Sequence, residues 1–196
     1  MRILRDVPLY RYSLSLRFSP FQDDESNSIT RASAVGVEQI IVPAIGSQYF
    51  ARVIKLAGDY PALYAALGLH PIIIEEHTAS CLERLEQLLA TRPQKVVAIG
   101  EIGLDLYRDD PQFERQQAVL DAQLKLAKRF DLPVILHSRR THDKLAMHLK
   151  RHDLPRTGWY MALPVACSRR NVLSAWDIKL ALAVPLPTRA PARPAK

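Results

Sequence analysis

Four apolar runs at regular intervals constrain this chain more than any other feature. They are QIIVPA (39–44), LYAALGL (63–69), KVVAIG (95–100) and LPVILHS (132–138). Each is nearly continuous rather than alternating, the pattern of strands buried on both faces in a parallel sheet. Helical patterns fill the gaps. SITRASAVG and QYFARVIKLAG predict short helices, the second closing on Gly58 as its C-cap. SCLERLEQLLATR sets Leu82, Leu85, Leu88 and Leu89 on one face. In DDPQFERQQAVLDAQLKLAKRFD, Asp110 suits the N-cap and Pro111 the first helical position. Phe113, Val119, Leu120, Leu124 and Ala127 then form its buried stripe. THDKLAMHLKRH predicts one more amphipathic helix, with its face turned to solvent. Such alternation implies an α/β fold with right-handed crossovers, either a barrel or an open doubly wound sheet.

Three of the runs end in polar chemistry. GLHP puts His70 just past the second run, GEIGLD puts Glu101 and Asp105 past the third, and ILHSRR puts His137 at the end of the fourth, before Arg139 and Arg140. Carboxyl ends of parallel strands converge on one face, where sites form. A carboxylate and an imidazole meeting there suit a divalent metal, and an adjacent arginine suits phosphate. Taken singly, each has a plainer explanation: a hydrogen-bonded structural histidine, a carboxylate closing a tight turn between Gly100 and Gly103, ordinary surface arginines. On successive strands together, the metal site outweighs these. His148 and His152 stand four apart, a possible ligand spacing, but on the solvent-turned helix they read as surface residues. The sequence contains no Gly-rich phosphate loop and no nucleophile elbow.

Charge narrows the reading further. The net +7 suggests a nucleic-acid or acidic-membrane partner, until its location is considered. Residues 1–18 carry +3 and residues 159–196 carry +5, so the stretch between is near neutral at −1. The basic pI describes the two ends. Two cysteines, Cys81 and Cys167, make neither a disulfide framework nor a zinc ribbon. Arg5, Arg11 and Arg17 interrupt the first twenty residues, and no run is long enough to span a bilayer. These features predict a cytoplasmic protein without a membrane partner.

YAALGLHP, VVAIGEIGLDLY and PVILHSRRTHD, in that order, resemble successive strand-end motifs of the TatD family of metal-dependent deoxyribonucleases. The resemblance runs from about residue 20 to residue 158. It implies a (β/α)8 TIM barrel, of which strands two to five are recognisable here, and hydrolysis of DNA phosphodiester bonds by metal-activated water. By the same resemblance Glu101 and His137 are metal ligands, and His70, Asp105 and Arg139 lie in or near the substrate pocket. The family site takes two divalent metal ions, with Mg, Zn and Mn as candidates, and DNA as substrate. The chain then reads as a single partial barrel domain over 1–183, with an irregular N-terminal end and a disordered Pro/Arg-rich tail over 184–196.

The chain departs from the family pattern at both ends. The family has Asp-x-His-x-His on its first strand, where this chain has YRYSLSLRF, and His-x-Phe-x-Gly on its sixth, where this chain has WYMALP. An aspartate on strand eight would fall beyond Lys196, and a TIM barrel usually takes about 250 residues. The genetic code suggests the hypothesis that both ends are out-of-frame translations of a TatD-type gene. Trp and Met have single codons, so 158–162 is encoded by GGN TGG TAY ATG GCN. One G restored after the glycine codon gives Gly-Val-Val-(His or Tyr)-Gly, a sixth-strand motif. In that frame AWDIKLA permits Leu-Gly-Tyr-Lys-Ile-Gly, the first glycine forced by Trp176 and Asp177. The other alternative frame across Tyr10–Phe18 permits Ile-Asp-Thr-His-Cys-His-Phe-Asp-Phe.

With several ligands missing, the expectation is a TatD-type hydrolase of weak or no activity. The alternatives are a non-catalytic remnant or interaction fragment, and a barrel hydrolase acting on amide bonds. An incomplete barrel with open edges also favours aggregation, docking on a completing chain, or chaperone binding.

Overall fold

The structure, a computed structural model, describes residues 10–12, 25–107, 109–152, 159–162 and 179–180. Among these, seven strands form one sheet: β1 (Tyr10–Tyr12), β2 (Gln39–Pro43), β3 (Leu63–Leu67), β4 (Val96–Asp105), β5 (Val134–Arg139), β6 (Trp159–Ala162) and β7 (Lys179–Leu180). Five helices accompany them: α1 (Glu25–Ala34), α2 (Phe50–Asp59), α3 (Ala79–Ala90), α4 (Phe113–Phe130) and α5 (His142–His152). Every neighbouring pair of strands is parallel, and spatial order equals chain order. That order decides between the two sequence alternatives. A doubly wound sheet reverses direction at a switch point, whereas unbroken sequential winding curls the sheet as in a (β/α)8 barrel. The fold is an incomplete α/β barrel.

Helices α1 to α5 all contribute to one hydrophobic core. Ala32, Val53, Leu85, Leu120, Leu124 and Leu145 meet Ile40, Val42, Leu63, Leu67, Val134 and Leu136 from the strands. The intervening strand residues Ile41, Ala66, Ala98 and Ile135 make a second cluster, to which no helix contributes. Successive side chains on a strand point to opposite faces, so the helices lie together on the outside of the curl and the small cluster lines its inside.

Four expectations need correction. α2 runs through Gly58 to Asp59 and ends on an extended Tyr60, so Gly58 is no C-cap. α4 starts at Phe113 rather than Pro111, because Gln112 takes a left-handed conformation (φ 42) and Asp110 Oδ1 accepts the Gln112 N–H at 3.2 Å. β4 does not stop at Gly100 but continues to Asp105, through a register shift against β5 between Ile99 and Ile102. α5 does not turn its histidines to solvent. His148 is buried, and Nδ1 of His148 and Nε2 of His152 both approach Asp121 Oδ1 on α4, at 2.7 and 2.6 Å. Residues 184–196, expected as a tail, lie outside the described residues. No helix among the described residues is long and apolar enough to cross a membrane.

Candidate metal centre

Glycines let β4 carry its chemistry close against β5. A Cβ on Gly100 would stand 2.5 Å from the Ile135 Cβ. Gly103 has φ 152, and a Cβ there would stand 1.9 Å from the His137 carbonyl oxygen. Only glycine fits such an approach. With the strands this near, Gly103 pairs with His137 and Asp105 with Arg139 in the ladder. Glu101 and His137, expected side by side on neighbouring strands, are so placed: His137 Nδ1 is 3.3 Å from Glu101 Oε1. His70, which caps the turn after β3, joins them with Nε2 at 3.4 Å from the same oxygen. The His70 and His137 rings stand 4.4 Å apart between centroids, tilted by 54°. All three residues are buried, Glu101 completely.

The ligand atoms of His70, Glu101 and His137 lie within 4.8 Å of one another. Bonds of about 2.0–2.1 Å at tetrahedral angles separate ligand atoms by about 3.3 Å, close to the spacings seen here. Imidazole and carboxylate ligands together suit a divalent metal. This cluster is the candidate divalent-metal site.

Hydrogen bonding distinguishes the two histidines. A carboxylate only accepts, so the contact of 2.9 Å between His137 Nε2 and Asp105 Oδ2 puts a proton on Nε2. Neutral His137 therefore presents the Nδ1 lone pair towards Glu101, as a ligand held by an outer carboxylate does. His70 is the reverse. Its Nδ1 accepts the Ile72 N–H at 3.0 Å, so the neutral ring carries its proton on Nε2. That nitrogen is a donor aimed into the site.

Electrostatics follow the same contacts. Burial alone would raise the Glu101 pKa, but His70 and His137 together hold it far below the usual carboxylate range. Burial alone would lower His137, yet its contacts with Asp105 and Glu101 push it up to about 9. Asp105 is lowered, its partial burial outweighed by His137, the Tyr107 N–H and the nearby Arg139. In the protein alone, His137 is thus an imidazolium between two carboxylates at neutral pH. Loss of its Nδ1 proton turns it into a ligand.

A scaffold from α4 supports all of this. Gln116 and Gln123 are fully buried glutamines on an otherwise apolar face. Gln123 accepts the Leu69 N–H at 2.7 Å and donates to the Leu69 carbonyl at 3.2 Å, just before His70. Gln116 does the same for Asp105, at 2.8 and 2.9 Å. His77, its pKa lowered by burial, donates from Nε2 to the His70 carbonyl at 2.8 Å, and Arg115 holds the His77 carbonyl. The sequence reading missed Gln116, Gln123 and His77. The available signal was two glutamines seven apart within an apolar stripe.

The structure thus gathers His70, Glu101, Asp105 and His137 at one mouth. Arg139 stands beside them at its edge, stacked on the Tyr107 ring with its guanidinium carbon 3.4 Å from the centroid.

Comparison with known proteins agrees with this arrangement. The profile of the family TatD related DNase matches residues 14–162. A metal-dependent hydrolase of Escherichia coli (strain K12), YjjV, is 69% identical over 141 residues, covering 72% of this chain and 54% of that protein. The 3'-5' ssDNA/RNA exonuclease TatD of Escherichia fergusonii is 32% identical over 136 residues, covering 69% of this chain and 52% of that one. The chain spans about half the length of the curated relatives it matches. The crystal structure of the Escherichia coli YjjV protein, a TatD homologue, superposes with a TM-score of 0.83 at 57% identity, over 88% of this chain and 66% of that one. Motifs, strand order and comparisons converge: the chain belongs to the TatD related DNase family of metal-dependent hydrolases.

Proposed function

We propose that this chain carries the Glu101–His137 part of a TatD-type metal centre and acts, slowly, as a divalent-metal-dependent phosphodiesterase on single-stranded nucleic acid. The observation that carries the reading is the single line of contacts from Asp105 through His137 to Glu101. In it Glu101 and the Nδ1 of His137 would hold a divalent metal, and Asp105 fixes the imidazole. A bound divalent metal lowers the pKa of water and stabilises charge on an attacked phosphate. His70 would donate a hydrogen bond from its Nε2–H to a phosphate oxygen at the mouth. Arg139 offsets the negative charge of the substrate backbone. The relative named as a 3'-5' ssDNA/RNA exonuclease supports nucleic acid over amide substrates.

Turnover is expected to be low because YRYSLSLRF and WYMALP supply no histidine at the first- and sixth-strand positions. The same absence favours a second reading, a remnant that docks without catalysing.

Metal titration of the purified chain by calorimetry, beside hydrolysis of a labelled single-stranded oligonucleotide, tests both. Expected are binding lost in Glu101→Ala and slow, chelator-sensitive hydrolysis lost in the same variant. No metal binding favours the remnant. Hydrolysis indifferent to chelator, or to Glu101→Ala, overturns the assignment.

A further inference from the structure

Taking the site to act on nucleic acid, as above, we propose that Arg139, Tyr107 and Arg140 form a clamp for a backbone phosphate beside the metal centre. Tyr107 is its positioning residue. Tyr107 follows β4 and is half exposed, at 52%. The Arg139 guanidinium carbon lies 3.4 Å from its ring centroid and that of Arg140 lies 4.6 Å away.

Consecutive residues of a strand point to opposite faces, so two adjacent arginines do not ordinarily reach one ring. Arg140 does so because the chain leaves β5 there in the left-handed region, with φ 61. That conformation is unfavourable for a non-glycine residue. Its effect is to gather two like charges at one place.

Neither guanidinium is taken up in a salt bridge among the described residues. All five donors of an arginine lie in the plane of its guanidinium. Stacking on a ring therefore orients the group and leaves its donor edges open. With a guanidinium at van der Waals distance, the ring face is occupied, so it serves as a seat for the cation rather than as a platform for a base. Two forked donors on a fixed seat match the non-bridging oxygens of a phosphate.

The clamp is tied to the reaction centre. The Tyr107 N–H donates to Asp105 Oδ1 at 2.8 Å, and Asp105 Oδ2 is the partner of His137. A phosphate held there would lie next to the one being cleaved.

The test is binding of a fluorescein-labelled oligothymidylate to the full chain, read by anisotropy in EDTA so that neither metal nor hydrolysis contributes. Tyr107→Phe keeps the ring and is expected to bind within about twofold of the parent. Tyr107→Ala and Arg140→Gln are expected to weaken binding about five- to tenfold. Each lost guanidinium contact should also flatten the slope of log affinity against log salt by about 0.7. Circular dichroism checks that the variants fold. Binding by Tyr107→Ala equal to the parent, or loss of binding in Tyr107→Phe, overturns the proposal. Competition by thymidine 5'-monophosphate but not by thymidine supports phosphate as the recognised group; equal competition by thymidine overturns it. Comparing unlabelled oligomers with and without a 5'-phosphate tells a terminal from an internal phosphate. Tyr107-dependent binding without metal-dependent hydrolysis would refute the proposed function and leave the clamp standing. Hydrolysis with Tyr107-independent binding would do the opposite.

Discussion

Asp105 holds His137 by its carboxylate while its own backbone is held by Gln116: Oδ2 meets His137 Nε2 at 2.9 Å, and the Asp105 N–H meets Gln116 Oε1 at 2.8 Å. This carboxylate chooses the His137 tautomer without touching the metal position. Replacing it with an amide removes the charge but keeps the shape. Asp105→Asn should therefore lower metal affinity about 10- to 100-fold and, because the carboxylate helps to raise the His137 pKa, also lower the stability of the metal-free chain at neutral pH. Calorimetric titration of parent and variant measures this, and equal affinities would refute the role given to Asp105.

The pKa of His137, pushed up to about 9, fixes a pH dependence. A histidine raised on folding contributes stability that is fully present below its ordinary value of about 6.5 and is lost as pH rises through about 9. The chain without metal should consequently become less resistant to denaturant between those limits. Metal competes with the Nδ1 proton, so metal affinity should rise over the same interval. Denaturant melts and metal titrations at pH 6, 7.5 and 9 check both trends. The same trends persisting in His137→Gln would disprove their source.

Gly103→Ala should be among the most damaging small substitutions in the chain. Its Cβ would fall 1.9 Å from the His137 carbonyl oxygen, at φ 152. Strand β5 must move or the residue must refold, at a cost of about 1–3 kcal/mol or more. Chemical denaturation gives the loss of stability. Metal binding should fall in parallel, because the backbone displaced belongs to His137.

The register of β6 makes the frame hypothesis concrete. Met161 pairs with His137 across the β5–β6 ladder. Reading the restored frame GTG GTA YAT GGC from position 159, the histidine or tyrosine codon falls on position 161. Met161→His should then raise metal affinity by adding an imidazole at the ladder position beside His137. Sequencing the gene is the independent check: bases around codon 158 that contain no such motif in a neighbouring frame would end the hypothesis.

The sequence disclosed the elements that depend on local pattern. Four apolar runs became β2 to β5, and three strand-end motifs placed Glu101, Asp105, His137 and His70 at one mouth. What it hid were long-range satisfactions of buried polar groups. The apolar run ended at Gly100, yet Gly100 and Gly103 both lie inside β4, where they permit a close approach to a strand more than thirty residues away in sequence. Gln116 drew no notice within its helix, though its amide serves the backbone of Asp105. His148 and His152 read as solvent-facing because Asp121, which receives both, comes from another helix. A periodic pattern reports which face is apolar; it does not report which polar atom a distant backbone requires.

Gln116 and Gln123 stand two turns apart on one helix, a rise of about 10.5 Å. Each grips the peptide group at the mouth of a different strand, at Asp105 and at Leu69. α4 is therefore a rigid spacer bar, and the donor His70 and the orienting Asp105 keep their separation only while it stays seated. The amide protons of Leu69 and Asp105 should exchange with solvent in a single opening event, at a common rate set by the detachment of that one helix.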